Sequence, residues 1–593
     1  MNGASARYFQ DPHRCLFAHA PTGGEGHPMK TTKRIRVPEE TAAEGVSRRG
    51  VLTGVMAGLA ALPVTGQAHA APKAPTPKVP APTAPAAARV LSATRSGHGT
   101  GAPRGSDIAV TAGRTKEGRF GVMFKKLPAF APSDDLLADL AQQMVDRTPP
   151  LADVSLSNDG FDNPDIPAGY AYLGQFIDHD MTLDKTPMPQ QDMDPKGLTN
   201  FDTPFFELGS VYGRGPAADP QLYDPADRRR MRIGRNHDGF PDLPRNADGT
   251  AIIGDQRNDE NLIVAQFHLT FLQLHNRFVD EGMTFQQAQQ MTRWHYQWLI
   301  VHDFLPRTVG RGLVAGMLKP RRGGPTGVDC KFYRPGNPTR PMMPIEYSVA
   351  AYRFGHSMIR AEYEMHDAVT IPFFGHPAND LRGSRPLPTI ARADWNYFFD
   401  VPGMSEPDDR NMTRLIDTKL ALPLNELPPT VVQHVDGAIL SLAHRNLVRG
   451  KRLGLPAGQD VAKAMGVAPI PNDRLGLTDP GWKGRAPLWY YILKEAELLG
   501  GRTLGPVGGR IIAEVILGIL SLDRSSFLNA RTGWAPARTP FECGDFLEMA
   551  GALENMPAGS EAEDLEAEDP EVELPEEEHP EGEPPEDEHP GSA

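Results

Sequence analysis

His179 stands between two acids, Asp178 and Asp180, where the apolar and aromatic run YAYLGQFIDHDMTLD (170–184) turns polar. His356 sits beside Gly355 in YRFGHSMI, Arg257 in GDQRNDE ahead of a long apolar periodicity, and Asn446 in SLAHRN. Taken singly, a histidine on an apolar face is more often a satisfied core residue than a ligand. The chain contains no HExxH, no CxxC pair, no GxSxG elbow and no Walker loop. Zinc, acyl-transfer and nucleotide chemistry therefore have no local support. Two histidines far apart in sequence suit one task well, in which one imidazole ligates a haem iron and the other faces it.

Such residues need a rigid frame, and the patterning between 117 and 555 is mostly helical. Apolar residues recur at helical spacing over 134–146, 260–282, 284–305, 348–365, 436–450 and 487–500. Alternating strand patterns are scarce, and no repeat of 20–50 residues is visible. The expectation is a mainly α fold, one large helical domain with long loops and little β structure.

The flanks read differently. Arg48-Arg49 precede a modest apolar stretch and Ala68-His69-Ala70, a basic, apolar and small-x-small order like that of a twin-arginine export signal. With Gly, Thr and Pro inside it, the stretch makes a poor membrane span. Residues 1–70 thus read as a leader, with Met29 an alternative start to Met1. Residues 71–116 read as a largely disordered Pro/Ala-rich linker, and 556–593 as an acidic disordered tail. The tail's segment 561–588 holds 16 acids and no Lys or Arg, so the net charge of −14 belongs to the tail and the body is near neutral. A neutral body has no field for gathering nucleic acid. Three cysteines, Cys15, Cys330 and Cys543, make no disulfide framework, although a Cys330–Cys543 bridge stays open.

Several separated motifs, in order, resemble the animal-type haem peroxidases of the peroxidase–cyclooxygenase superfamily, in particular bacterial secreted members. GQFIDHDMT resembles the distal-histidine motif, TPFFELGSVYG the calcium loop and GDQRNDE the catalytic-arginine motif. YRFGHSMI resembles the proximal-histidine helix, and RNLVRGKRLGLP the segment with an asparagine behind that histidine. The resemblance implies a secreted enzyme that uses hydrogen peroxide to oxidise small phenols or (pseudo)halides at haem b through a ferryl intermediate. His179 would be the distal base, Arg257 the cation steadying the cleaving peroxide, and Gln175 an amide orienting water or halide. His356 would be the axial iron ligand, with Asn446 accepting its other ring N–H. Asp178 and Glu260 match carboxylates that form ester links to haem; the alternative is two residues that suit helix starts. Asn261 replaces a methionine that forms a further link in some members, which weakens the case for chloride oxidation.

Asp180 would reach calcium together with Thr203, Phe205 and Glu207. Glu207 stands where relatives have Asp, and Gly209 where they have Ser or Asp, so the site is weakened. A second reading is a fatty-acid dioxygenase of the cyclooxygenase-like branch. Its radical tyrosine, three residues before the proximal histidine, is replaced here by Arg353; Tyr352 is rotated by about 100° on a helix, and Tyr347 stays open as a radical site. A third is a haem-less secreted adhesion or structural protein, against which the joint retention of His179, Arg257, His356 and Asn446 argues. The donor and the oligomeric state are not legible in the sequence.

Overall fold

Long apolar stretches without internal breakers form the centre of the molecule. The computed structural model describes residues 35–36, 118–147, 161–182, 199–200, 204–322, 324–339, 341–376, 378–428, 431 and 439–555. The leader (apart from 35–36), the linker up to 117 and the tail from 556 lie outside the described residues. The chain divides into two units, Met1–Ile35 and Arg36–Ala593. Of the first only Ile35 is described, and the second carries the helices.

The helices of the second unit are α1 (Asp134–Gln143), α2 (Gly169–Met181), α3 (Gly209–Tyr212), α4 (Leu262–Asp280), α5 (Phe285–Leu299), α6 (Arg311–Met317), α7 (Leu442–Arg452), α8 (Gly458–Met465), α9 (Leu488–Leu498), α10 (Pro506–Leu522) and α11 (Cys543–Ala550). Strands are short: Gly118–Gly121 pairs with Thr199–Asn200 and Met342–Pro344, Asp162–Pro167 with Met412–Arg414, and Glu362–His366 with Val369–Pro372. The expected mainly α architecture is what folds.

α4 starts where Asn261 caps the Ile263 amide at 2.8 Å, and it buries nearly its whole circumference. α2 lies against it, with Phe176 stacked on Phe271 at 4.5 Å and Phe267 and Tyr296 edge-on to both. Each fully buried ring or leucine contributes about 1.5–3 kcal/mol, so this aromatic knot is what holds α2 in place. The start of α2 has no side-chain cap. Its first amides go to neighbouring loops, Ala168 N–H to Asn411 O at 2.8 Å and Gly169 N–H to Phe398 O at 2.9 Å. A Cβ on Gly169 would fall 2.3 Å from the Phe399 ring, so only glycine allows that approach.

Several expectations are corrected. The periodicity over 284–305 is not one α-helix: α5 ends at Leu299 and passes into π turns at Ile300–Phe304 and Pro306–Gly310. Pro306 has no N–H to give to the ladder. The stretch 348–365 is a π turn (Glu346–Ala350) and a 3-10 segment (Ala351–Met358), followed by the strand Glu362–His366. In 436–450 the helix begins only at Leu442, capped by Ser441. Cys330 and Cys543 are free thiols, so no bridge joins them.

The sequence pattern did not single out α10. It is apolar except at Arg510, Glu514 and Ser521, and buried except at Pro506, Arg510 and its last residues. Its first turn is held by Glu495 of α9, which accepts from Val507 N–H at 2.9 Å. Burial pushes the Glu495 carboxyl up to about 7, against the pull of the Val507 and Gly508 amides. A carboxyl raised on folding contributes stability that is fully present below its unfolded value and lost as pH rises through its folded value. Glu495→Gln should remove that loss. Relative to wild type, the variant should gain on the order of 3 kcal/mol between pH 4 and pH 8, read by urea denaturation at both pH values.

Candidate active site

α2 brings His179 into the interior one turn after Gln175, which is half-buried on the same face. His179 is fully buried, and its Nδ1 lies 2.8 Å from Asn258 Oδ1. Asn258 is itself fully buried and bridges onward, Nδ2 to His268 Nδ1 of α4 at 2.9 Å. Burial lowers the His268 pKa to about 3, so this second imidazole is neutral.

Arg257 and Asn258 share a short 3-10 turn, Gln256–Asp259, capped by Asp255. Asp255 pairs with Arg257 at 2.7 Å, and Arg257 Nη2 also donates to the His179 carbonyl at 3.0 Å. Burial alone would weaken the Arg257 charge, but Asp255 holds its pKa above the usual guanidinium value. The turn is pinned from outside. Arg245 grips Asp259 with two bonds of 2.7 and 2.8 Å, and Gly383 N–H donates to Glu260 O at 2.9 Å. A Cβ on Gly383 would lie 1.9 Å from the Asp259 carbonyl oxygen, so this backbone approach requires glycine.

His356 lies in the 3-10 segment Ala351–Met358, and its Nδ1 is 2.8 Å from Asn446 Nδ2 of α7. Asn446 was expected to accept here. Arg353 reverses the polarity: its Nη1 reaches Asn446 Oδ1 at 2.5 Å, and a guanidinium only donates, so the amide offers N–H to His356. A neutral imidazole that accepts at Nδ1 keeps its hydrogen on Nε2, so ligation of a metal through Nε2 would require that hydrogen to leave. Arg353 is fixed in turn, Nε to Ser348 O at 3.1 Å, with Trp489 Nε1 on its own carbonyl at 3.2 Å.

The two histidine segments meet. Tyr352 donates to the Gly174 carbonyl of α2 at 3.1 Å, and both Arg257 and Arg353 act on Asp178. Gly174, Gln175, Asp178, Glu260, Arg353, Gly355 and His356 keep partial exposure among buried neighbours, and a Cβ on Gly355 would meet open space. Burial pushes the Asp178 carboxyl up against Arg257 and Arg353, and raises Glu260 well above the usual range against Arg257.

Asp180 points away from His179, as 100° per residue requires. Its carboxylate accepts from Leu208 N–H at 3.1 Å and Gly209 N–H at 2.9 Å, capping α3. The Phe205 carbonyl accepts from Glu207 N–H at 2.9 Å, and the Glu207 carbonyl from Arg293 Nε at 2.7 Å. Thr203 lies outside the described residues. Among the described residues, no group of three or more His, Cys, Asp or Glu could hold a metal ion.

A model of the animal haem peroxidase family matches residues 165–472, a span that includes His179, Arg257, His356 and Asn446. The chain belongs to the animal haem peroxidase family. The cofactor of that family is haem. As an animal haem peroxidase, the chain is 27% identical over 180 residues to the chorion peroxidase of Aedes aegypti, covering 26% of this chain and 21% of that protein. It is 23% identical over 378 residues to the thyroid peroxidase of Sus scrofa, covering 56% and 38%. It spans about a fifth to two fifths of the length of these curated relatives. The solved Peroxidase A from Dictyostelium discoideum aligns at 16% identity over 73% of this chain and 92% of that one, with a TM-score of 0.49.

In this animal haem peroxidase, sequence reasoning missed Asn258, His268 and the polarity set by Arg353. Asn258 had a signal, its position inside GDQRNDE; His268 had only that of a polar residue on an apolar helix. Gly383 had none, because the loop it comes from meets the motif only in three dimensions.

Proposed function

We propose that this chain is a haem peroxidase, reducing hydrogen peroxide at the expense of small phenolic or (pseudo)halide donors. The observation that carries the reading is a pair of imidazoles, each met at Nδ1 by its own buried asparagine, His179 by Asn258 and His356 by Asn446, on segments joined by the Tyr352–Gly174 hydrogen bond. The residues present fit haem. His356 Nε2 would hold the iron once the hydrogen that an accepting Nδ1 leaves on it is lost, and a Cβ on the neighbouring Gly355 would meet open space. Haem, when bound, supplies the electrons that cleave the O–O bond and the oxidising equivalents passed to the donor.

His179 Nε2 takes a proton from the bound peroxide and returns it to the departing oxygen, a transfer typically worth about 10²–10⁴-fold in rate. Arg257 steadies the negative charge that develops on the peroxide oxygens; its Nη1 is not used in the bonds to Asp255 and His179. Gln175, one turn from His179, orients water or donor. Asp178 and Glu260 would be the residues to hold haem through ester links to its methyl groups, each link losing the carboxyl hydrogen and one methyl hydrogen with peroxide as the two-electron oxidant. The dioxygenase reading is disfavoured, because the position three before His356 is Arg353, already engaged with Asn446.

The Asp180 carboxylate accepts from the Leu208 and Gly209 amides and the Glu207 carbonyl from Arg293, and Gly209 brings no side chain. We infer that Asp180 acts as a cap on α3, joining α2 to the loop without metal. Export is part of the proposal, on the strength of the Arg48-Arg49 leader. No helix among the described residues is long and apolar enough to cross a membrane.

Three outcomes are expected. The purified protein should show a Soret band and oxidise a phenol with peroxide, and His179→Ala should keep the band while slowing the reaction with peroxide about 10²–10⁴-fold; a colourless active protein would sink the reading. Acidified solvent should leave pigment on the polypeptide, with Asp178→Asn plus Glu260→Gln releasing it. Dialysis against EDTA should leave the melting temperature unchanged, whereas Asp180→Ala should cost about 1–3 kcal/mol by exposing two buried amides.

A further inference from the structure

Neutral imidazole has two tautomers, and a base that must accept at Nε2 needs its hydrogen on Nδ1. In His179 that choice falls to whatever faces Nδ1, which is Asn258. An amide can offer either oxygen or N–H, so by itself it does not decide.

The other end of the amide decides. Asn258 Nδ2 lies 2.9 Å from His268 Nδ1. Both residues are fully buried, and water does not compete for either contact. A protonated His268 would have to donate from Nδ1, would turn the amide over, and would present N–H to His179. Burial excludes that charged form. Neutral His268, with Asn258 Nδ2 turned toward it, accepts at Nδ1 and keeps its hydrogen on Nε2. Among the described residues Nε2 has no hydrogen-bond partner, and the ring stands edge-on to Phe176 with centroids 6.0 Å apart.

We propose that Asn258 and His268 are positioning residues: a two-step relay, His179 Nδ1–H to Asn258 Oδ1 and Asn258 Nδ2–H to His268 Nδ1, that holds His179 in the tautomer whose Nε2 is the base. Arg257, one residue before Asn258, holds the His179 carbonyl, so a single turn of chain fixes both the backbone and the ring. The role assigned to the relay rests on the haem peroxidase reading and deepens it.

The test uses the haem-loaded protein and two ligands that differ in one proton. Hydrogen cyanide binds ferric haem as cyanide, giving its proton to the distal base. Carbon monoxide binds the dithionite-reduced form with no proton transfer. Association of each is followed by the shift of the Soret band. Asn258→Leu should slow cyanide association by about 10- to 100-fold and leave carbon monoxide association within about twofold. Asn258→Asp keeps an acceptor toward His179 and should restore most of the cyanide rate. His268→Phe fills the space without an acceptor and should slow cyanide alone, and it serves equally if Asn258→Leu does not accumulate. Unchanged cyanide association in both Asn258→Leu and His268→Phe overturns the relay. So does an equal loss for both ligands, which would mean that the site has merely deformed. A wild-type protein lacking any Soret band would overturn the haem reading itself, a result distinguishable from either.

Discussion

An imidazole sealed inside a helical body cannot rely on water for its ring nitrogens, so protein groups must choose its tautomer and orientation. Much of this structure depends on that constraint. His179 and His356 are met at Nδ1 by Asn258 and Asn446. Each asparagine is set by a further group, His268 in one case and Arg353 in the other. The two sites have the same layout and different outcomes. On one side the amide oxygen faces the ring, and on the other the amide N–H does, because a guanidinium cannot accept.

The frame delivers these contacts through a few pinned elements. α2 is clamped by aromatic rings from α4 and α5, and its start is closed by loop carbonyls. Its last turn sends His179 one way and Asp180 the other, so one helix end serves the histidine site and the 205–209 loop together. The arginine turn is locked by Asp255 within the motif, and by Arg245 and Gly383 from outside. Charge is treated similarly throughout: Arg257 is buried with its own counter-ion, while Asp178 and Glu260 are driven toward neutrality. A fixed cation buried with its own counter-ion can steady transient negative charge without rearranging at the moment it develops.

The loop expected to bind calcium shows how one residue can keep its place and change its work. Asp180 still joins α2 to the loop, but through the Leu208 and Gly209 amides. Arg293 holds the Glu207 carbonyl beside it, so the end of α2 and the loop are fastened by hydrogen bonds on both sides.

Periodicity and motif order are local properties of the chain, and they suffice for the mainly helical class, the helices α4, α5 and α9, and the chemical types at 178–180, 257, 356 and 446. They do not reach α10, nor the breaks at Pro306 and Ile359. Which nitrogen faces which atom was settled by packing. His179 and Asn258 are 79 residues apart and His356 and Asn446 are 90 apart. A hydrogen bond's direction depends on the third group behind it, and that group arrives only when distant segments pack.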